Sequence, residues 1–241
     1  MLLLDLTLDS AAANVALDEA LLSWAESRAD GEDNEVLRFW ESPTPAVVIG
    51  RSSRVDDEVF VERCRGAEVP IIRRCSGGAA IVAGPGCLMY AVVLDIVKSP
   101  QLAMIDSAHR FVLGRLADAI RGTDVPVEVQ GHSDLTTLGR KFSGNSLRVT
   151  RSQVLYHGTV LYDFDLGLIA RYLYEPPRQP DYRDRRHHRE FICNVSASSA
   201  ALRGALVHQW KANIDLEKWP QFQTGQLLEQ KYGADSWNFS R

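Results

Sequence analysis

Apolar positions along this chain fall into short runs that switch between the two-residue period of strands and the three-to-four-residue period of helices. The opening MLLLD, then 36–40, 46–49, 71–72, 88–94, 125–129 and 153–162, read as strands, and 191–195 is strand-like. A helix is predicted from Asp9 or Ser10, either of which suits an N-cap, to about Ser27, with Val15, Leu17, Leu21 and Trp24 near one face. Ser107 suits the cap of a second helix over 108–120, where Phe111, Val112, Leu116, Ala119 and Ile120 make an apolar stripe. Further helices are expected over 56–65, 165–172, 198–212 and 222–232. Polar or Gly/Pro-rich stretches at 30–34, 42–45, 131–135 and 175–189 separate these elements. No internal repeat or linker interrupts the pattern, so residues 1–241 read as one domain mixing strands and helices.

Composition narrows the function classes. With 27 Lys and Arg against 31 Asp and Glu, the net charge of −4 gives no general attraction to nucleic acid or anionic lipid. The N-terminus lacks a basic region and a small-residue cleavage site, and no run approaches the about 18 apolar residues of a membrane span. A soluble, cytoplasmic protein with no membrane or nucleic-acid partner is therefore expected. Cys64, Cys75, Cys87 and Cys193 have no CxxC spacing, which argues against a zinc site or a disulfide framework and for small buried apolar side chains.

Three stretches carry candidate chemistry. In IIRRCSGGAAIVAGPGCLMYAVVL, residues 71–94, glycines let backbone N–H groups approach a ligand, and Arg73 and Arg74 offer forked donors to carboxylate or phosphate. A hairpin with two tight turns and an incidental basic pair fits the same residues. In GRKFSGNSLR, residues 139–148, an extended chain would project Lys141 and Ser143 together, with Gly144 breaking the strand. That suits phosphate contact, although an edge strand carrying basic residues reads the same way. In QVLYHGTVLY, residues 153–162, Gly158 beside His157 and Thr159 implies a bulge or a close approach. Arg51 lies at a strand end, His132 and Asp134 share a polar turn, and Arg183 to Arg189 form the one strongly basic run in an acidic chain.

Taken in order, RRCSGGAAIVAGPGCLMYAVVL, GHSDLTTLGRKFSGNSLR and LYHGTVLYDFDL resemble the lipoate-protein ligase and octanoyltransferase family of the biotin and lipoate ligase group. The flanking NVALDEALL, PAVVIGR and RDRRHHREFICNV extend the resemblance over almost all of residues 10 to 195. It implies an α+β fold like that of class II synthetases: a mixed, mostly antiparallel sheet with flanking helices and the site on one face. It implies a ligase that uses ATP, with Mg2+ as the substrate complex, to adenylate lipoate or octanoate. The acyl group then passes to a lysine of a lipoyl-acceptor domain, such as a 2-oxoacid dehydrogenase E2 or a glycine-cleavage H-like protein. The alternatives are an acyltransferase drawing on a carrier thioester and a lipoate-binding protein that does not activate the acid.

By that resemblance Lys141 is the catalytic lysine, and Asp134 is a candidate partner for the metal. Arg51, Arg73, Arg74, Ser76, Gly77, Gly78 and Ala79 would surround the phosphates and acyl group. Ser143, Gly144 and Asn145 would line the nucleotide side, and His157, Gly158 and Thr159 the pocket floor. The family's transferases use a cysteine near the second motif or after the third, and residues 88 to 192 contain none. Cys87 is the replacement candidate, and Arg73 and Arg74 offer a positive environment to Cys75. Where the ligases carry a third glycine and then a His-Asp pair, this chain has Ala79 and Ala83-Gly84. A fused C-terminal accessory domain is expected to be absent, with a separate accessory protein a possible partner.

Overall fold

The computed structural model describes residues 1–28 and 33–241, and in it the apolar runs become two sheets. The chain runs through β1 (Leu2–Asp5), α1 (Ala11–Glu26), β2 (Val36–Trp40), β3 (Ala46–Ile49) and the short helices α2 (Val55–Glu58) and α3 (Val61–Gly66). Then come β4 (Ile71–Arg73), β5 (Ile81–Ala83), β6 (Cys87–Asp95), α4 (Ile105–Arg121), β7 (Glu128–Gln130), β8 (Asp134–Thr137), β9 (Arg140–Val149) and β10 (Gln153–Leu161). The last third holds α5 (Gly167–Tyr172), α6 (His188–Phe191), α7 (Ser199–Trp210), β11 (Ile214–Asp215), α8 (Gln221–Leu227) and α9 (Asp235–Asn238).

The larger sheet has the order β11-β1-β2-β6-β10-β9-β8-β7, and the smaller β4-β3-β5. In the larger sheet only the β11, β1 and β2 pairings are parallel, so the expected mixed, mostly antiparallel sheet is found. Strand alternation decides what each face covers. Leu88, Tyr90, Val92 and Leu94 of β6 pack with α4 and α7 on one side. Ala91 and Val93 meet α1 on the other, while Met89 and Cys87 meet the smaller sheet. The second face therefore has two covers, and the site lies where they part. Among the described residues no helix is long and apolar enough to cross a membrane.

Several local expectations change once tertiary pairing is present. Residues 71–94 do not form a hairpin, because β4 and β5 both flank β3 while β6 belongs to the other sheet. The 56–65 helix is split at Val59, which is extended and bridges Leu173. The 108–120 helix starts earlier, at Ile105, so Ser107 is not its cap. Residues 125–127 lie outside any strand, and Asp134 begins a strand rather than sitting in a turn. Of the strand-like stretch 191–195, Phe191 ends the helix His188–Phe191, Ile192 alone bridges β9, at Lys141, and 193–195 lie outside any strand. The 222–232 helix ends in a π turn, Leu228–Tyr232, and α9 follows with no counterpart in the periodicity. Of the polar stretch 30–34, residues 30–32 lie outside the described residues.

Candidate active site

A cleft of about 930 Å³ opens between the β9–β10 face of the large sheet, the loop after β4 and the segment 176–183. Lys141, Gly144, His157 and Thr159 contribute from the sheet, and Gly78 and Ala79 from the loop. One wall is apolar, formed by Val15, Trp40, Val48 and Met89. Trp40 is fully buried there, and its indole N–H has no hydrogen-bond partner among the described residues. A narrower recess of about 110 Å³ adjoins it, sharing Lys141 and Gly144 and lined by Val82, Leu161, Ile169 and Leu173.

Lys141 owes its position to a bulge. Gly144 pairs with Asp134 and Ser143 with Leu135, but Thr136 pairs with Lys141, so Phe142 is the extra residue. Gly144 therefore does not break β9, which continues to Val149. The bulge brings Lys141 to the side of Gly144, where an added Cβ would meet its Nζ at 2.9 Å, and Lys141 and Ser143 both line the narrower recess. The ammonium lies 2.7 Å from Asp134 Oδ1, and Asp134 Oδ2 accepts the Tyr182 hydroxyl at 2.7 Å. Both Asp134 oxygens are thus engaged, and no cluster of three or more metal-binding side chains exists among the described residues. A magnesium ion arriving with ATP would therefore be held chiefly by the phosphates that carry it, with Asp134 as a single protein carboxylate beside it.

The glycine loop is shaped from behind by Arg74. Its buried guanidinium donates to Val48 O, Ala79 O, Gly77 O and Ser76 Oγ, and burial lowers its pKa to about 10. Ser146 Oγ also donates to Gly77 O, at 2.9 Å. With these carbonyls engaged, the Gly77 and Gly78 N–H groups make no hydrogen bond among the described residues, an arrangement suited to an anion.

A buried relay fixes the same loop to the sheet and to α1. His157 Nδ1 lies 3.2 Å from Asp18 Oδ2, and its Nε2 lies 2.6 Å from Ser76 Oγ. An ionised carboxylate only accepts, so Nδ1 carries the proton, and in the neutral ring Nε2 accepts from the Ser76 hydroxyl. Asp18 is paired with Arg38, which also donates to Asn14 O and Asn14 Oδ1. Burial alone would raise the Asp18 carboxyl, but the Arg38 charge and the His157 contact outweigh it and hold its pKa below the ordinary value.

The remaining predicted site residues divide. Arg73 lies outside the cleft: it is fully buried, with its guanidinium on the carbonyls of Gly50, Arg51, Ser53, Trp237 and Asn238. It ties α9 to the loop after β3 instead of presenting a cation to phosphate. Arg51 is exposed on that loop and does not line the cleft. Ser143 faces the narrower recess. Asn145 and Gly158 line the cleft together, and an added Gly158 Cβ would fall 1.9 Å from Asn145 Oδ1. That glycine marks a close approach and not a bulge, since β10 pairs with β6 without a register break.

The basic run is not a uniform patch. Arg183 is buried against Glu175, Arg186 is bound to three carbonyls, and Asp181, Asp184 and Glu190 are exposed among the other arginines. All four cysteines are buried. Burial pushes the Cys64 thiol up to about 11 and raises Cys87 and Cys193, and burial together with Glu19 raises Cys75. The positive environment expected for Cys75 does not lower it, because burial and Glu19 outweigh the charges of Arg148 and Lys231.

Sequence patterns missed Asp18, Arg38, Trp40 and Tyr182. The usable signal was the acidic pair Asp18-Glu19 in the middle of a mostly apolar helix, which lies too far along the chain from its partners for local reading.

The sequence profile of the lipoyl protein ligase A/B catalytic domain matches residues 10–211. A probable lipoate-protein ligase A of Mycoplasma pneumoniae is 30% identical over 160 residues, 66% of this chain but only 45% of that protein. Octanoyltransferase LipM of Anoxybacillus flavithermus is 24% identical, covering 96% of this chain and 95% of that one. Among solved structures, a bi-partite lipoate protein ligase of Thermoplasma acidophilum, described with its E2 lipoyl domain, aligns at a TM-score of 0.83. It shares 22% identity and is covered to 95%, with 99% of this chain aligned. A lipoate-protein ligase A bound with ATP gives a TM-score of 0.78 at 20% identity, over 99% of this chain and 98% of that one. These likenesses establish a class II synthetase-like fold.

Proposed function

Because this chain belongs to the lipoyl protein ligase A/B catalytic-domain family, we propose that it activates lipoate or octanoate with ATP and transfers the acyl group to a lysine of a lipoyl-acceptor domain. The observation that carries this reading is one cleft holding a lysine ammonium, an apolar wall and the glycine loop at Gly78, whose N–H is unengaged among the described residues as is that of the neighbouring Gly77. A carboxylate oxygen of the acid attacks the α-phosphorus of ATP, and pyrophosphate leaves with its electron pair. Lys141 exchanges Asp134 for the α-phosphate and acyl oxygens and offsets the charge that builds there. Gly77 and Gly78 donate N–H groups to phosphate oxygens, with Mg2+ arriving as part of the ATP complex. The wall of Val15, Trp40, Val48 and Met89 takes the hydrocarbon tail, where each buried methylene contributes about 0.8 kcal/mol. In the second step the acceptor amine attacks the adenylate carbonyl, AMP leaves, and the amide nitrogen loses a proton.

Incubation with ATP, lipoate and an unmodified E2 lipoyl domain should release pyrophosphate and add one lipoyl mass to the domain. Lys141→Ala should keep the fold and lose at least about 100-fold in adenylation rate, the usual cost of removing one preorganised electrostatic contact. Near-normal pyrophosphate release by folded Lys141→Ala would sink the mechanism.

The end-to-end similarity to an octanoyltransferase favours a second reading, transfer from a carrier thioester without ATP. It ranks below the first because none of the four cysteines is exposed and burial disfavours every thiolate.

A further inference from the structure

Leu138 combines two features that each disfavour folding. It is 87% exposed, and its backbone has φ +49°, in the left-handed region that penalises a side chain with a γ-branch far more than glycine or asparagine. With Gly139 at φ +73° it forms the two-residue turn between Thr137 and Arg140, a turn type that favours Asn-Gly. Neither packing nor turn chemistry accounts for leucine there.

A second strained turn stands beside it. Asp184 and Arg185 have φ +50° and +54°, and both are exposed. Arg186 joins the two turns, donating to Gly139 O at 3.0 Å, Arg183 O at 3.0 Å and Tyr182 O at 2.9 Å. Tyr182 in turn holds Asp134, the partner of Lys141. Leu138 precedes Lys141 by three residues, of which Leu138 and Gly139 form the turn, so the two lie within about 10 Å of each other even were the chain fully extended. Tyr182 and Arg183, which lead into the second turn, line the cleft itself. A domain that places a lysine side chain beside Lys141 is wider than that separation, so on this side of the cleft its surface would meet the two turns.

We propose that the paired turns are the docking platform for the acceptor domain, with Leu138 as the apolar contact against the surface around the acceptor lysine and Arg185 beside it as a charged contact. This rests on the reading that the acyl group ends on a protein lysine, and it is independent of how the acid is activated. Strain held at an exposed apolar tip is retained where contact with a partner requires it.

The test pairs stability with binding. Leu138→Asn suits the left-handed backbone, so it should raise the melting temperature while weakening binding of an unmodified E2 lipoyl domain about tenfold in an ATP-free titration. The KM for that domain should rise by a similar factor, with kcat and lipoate-dependent pyrophosphate release unchanged. Leu138→Met should bind as the wild type does. Wild-type protein that does not bind the domain, or Leu138→Asn that binds it undiminished, overturns the proposal. Leu138-dependent binding without any ATP-dependent pyrophosphate release would instead remove the ligase reading and leave the platform standing.

Discussion

At Gly144 an added Cβ would come to 2.9 Å from Lys141 Nζ and 3.0 Å from its Cε, atoms at the free end of a flexible side chain. At Gly158 the same addition would come to 2.7 Å from Gly144 O and 1.9 Å from Asn145 Oδ1. Two glycines of the same site therefore respond differently to alanine. Gly144→Ala should fold nearly normally but displace the ammonium, lowering kcat by 10-fold or more, since small misplacements of a catalytic group are costly. Gly158→Ala meets backbone across the sheet and should lose stability by about 1–3 kcal/mol, as overpacked positions do. Denaturation curves alongside turnover distinguish them. Equal stability losses in both variants would show that Lys141 cannot move aside. The close approach at Gly158 was one of two readings its sequence allowed, but the contrast with Gly144, which read as a strand break, was not legible, because the difference lies in what crosses over each residue.

Helix α1 binds the covers of the sheet together through charges that its apolar pattern conceals. Asp18 meets Arg38 and His157, while Glu19 meets Arg148, Lys231 and Tyr232. Burial opposes both ionised carboxyls, but their partners prevail, and both folded pKa values lie below the ordinary 3.8 and 4.5. Groups lowered in the folded state contribute stability that is fully present above the ordinary carboxylate range and is lost as pH falls through the folded values. The wild type should therefore hold a plateau above about pH 5 and weaken below pH 4. Asp18→Asn leaves Arg38 buried without its counter-charge, so it should cost about 3 kcal/mol at neutral pH and flatten the acid limb. Urea midpoints from pH 7 to pH 3 measure this, and an acid limb parallel to that of the wild type would refute it. The helix itself was legible from Ser10 and its apolar face, and β2, β3, β6 and β10 from their runs. Their partners were not: β4 and β6 look like a hairpin until β4 pairs with β3 and β6 joins the other sheet, β5 was not read as a strand at all, and Arg73 looks like a phosphate ligand until α9 folds back over it. Pairing between distant segments decides these cases, and residue periodicity carries no information about it.

At the scale of the whole molecule, the family's two chemistries place different demands on this one fold. A thioester route through an acyl-enzyme requires a thiolate that a carrier can reach. Cys87 sits in the core at the start of β6, Cys75 lies behind the glycine loop near Glu19, Cys64 is on α3, and Cys193 follows α6. Burial raises every one of these thiols, so none is poised for nucleophilic attack. An adenylate route requires none of them, since the attacking atoms belong to the acid and to the acceptor lysine. A chain with Cys64, Cys75, Cys87 and Cys193 all changed to Ser or Ala, choosing whichever preserves folding, should acylate an E2 lipoyl domain from lipoate and ATP at the wild-type rate. Mass spectrometry of the wild type mixed with an octanoyl-carrier thioester should detect no acyl adduct on the protein. A stoichiometric adduct that disappears with one cysteine, together with ATP-independent transfer to the domain, would overturn the ligase assignment. The fold would then have to open far enough to expose a thiol that it now buries, and the thiol that carries the adduct would identify which cover of the sheet moves.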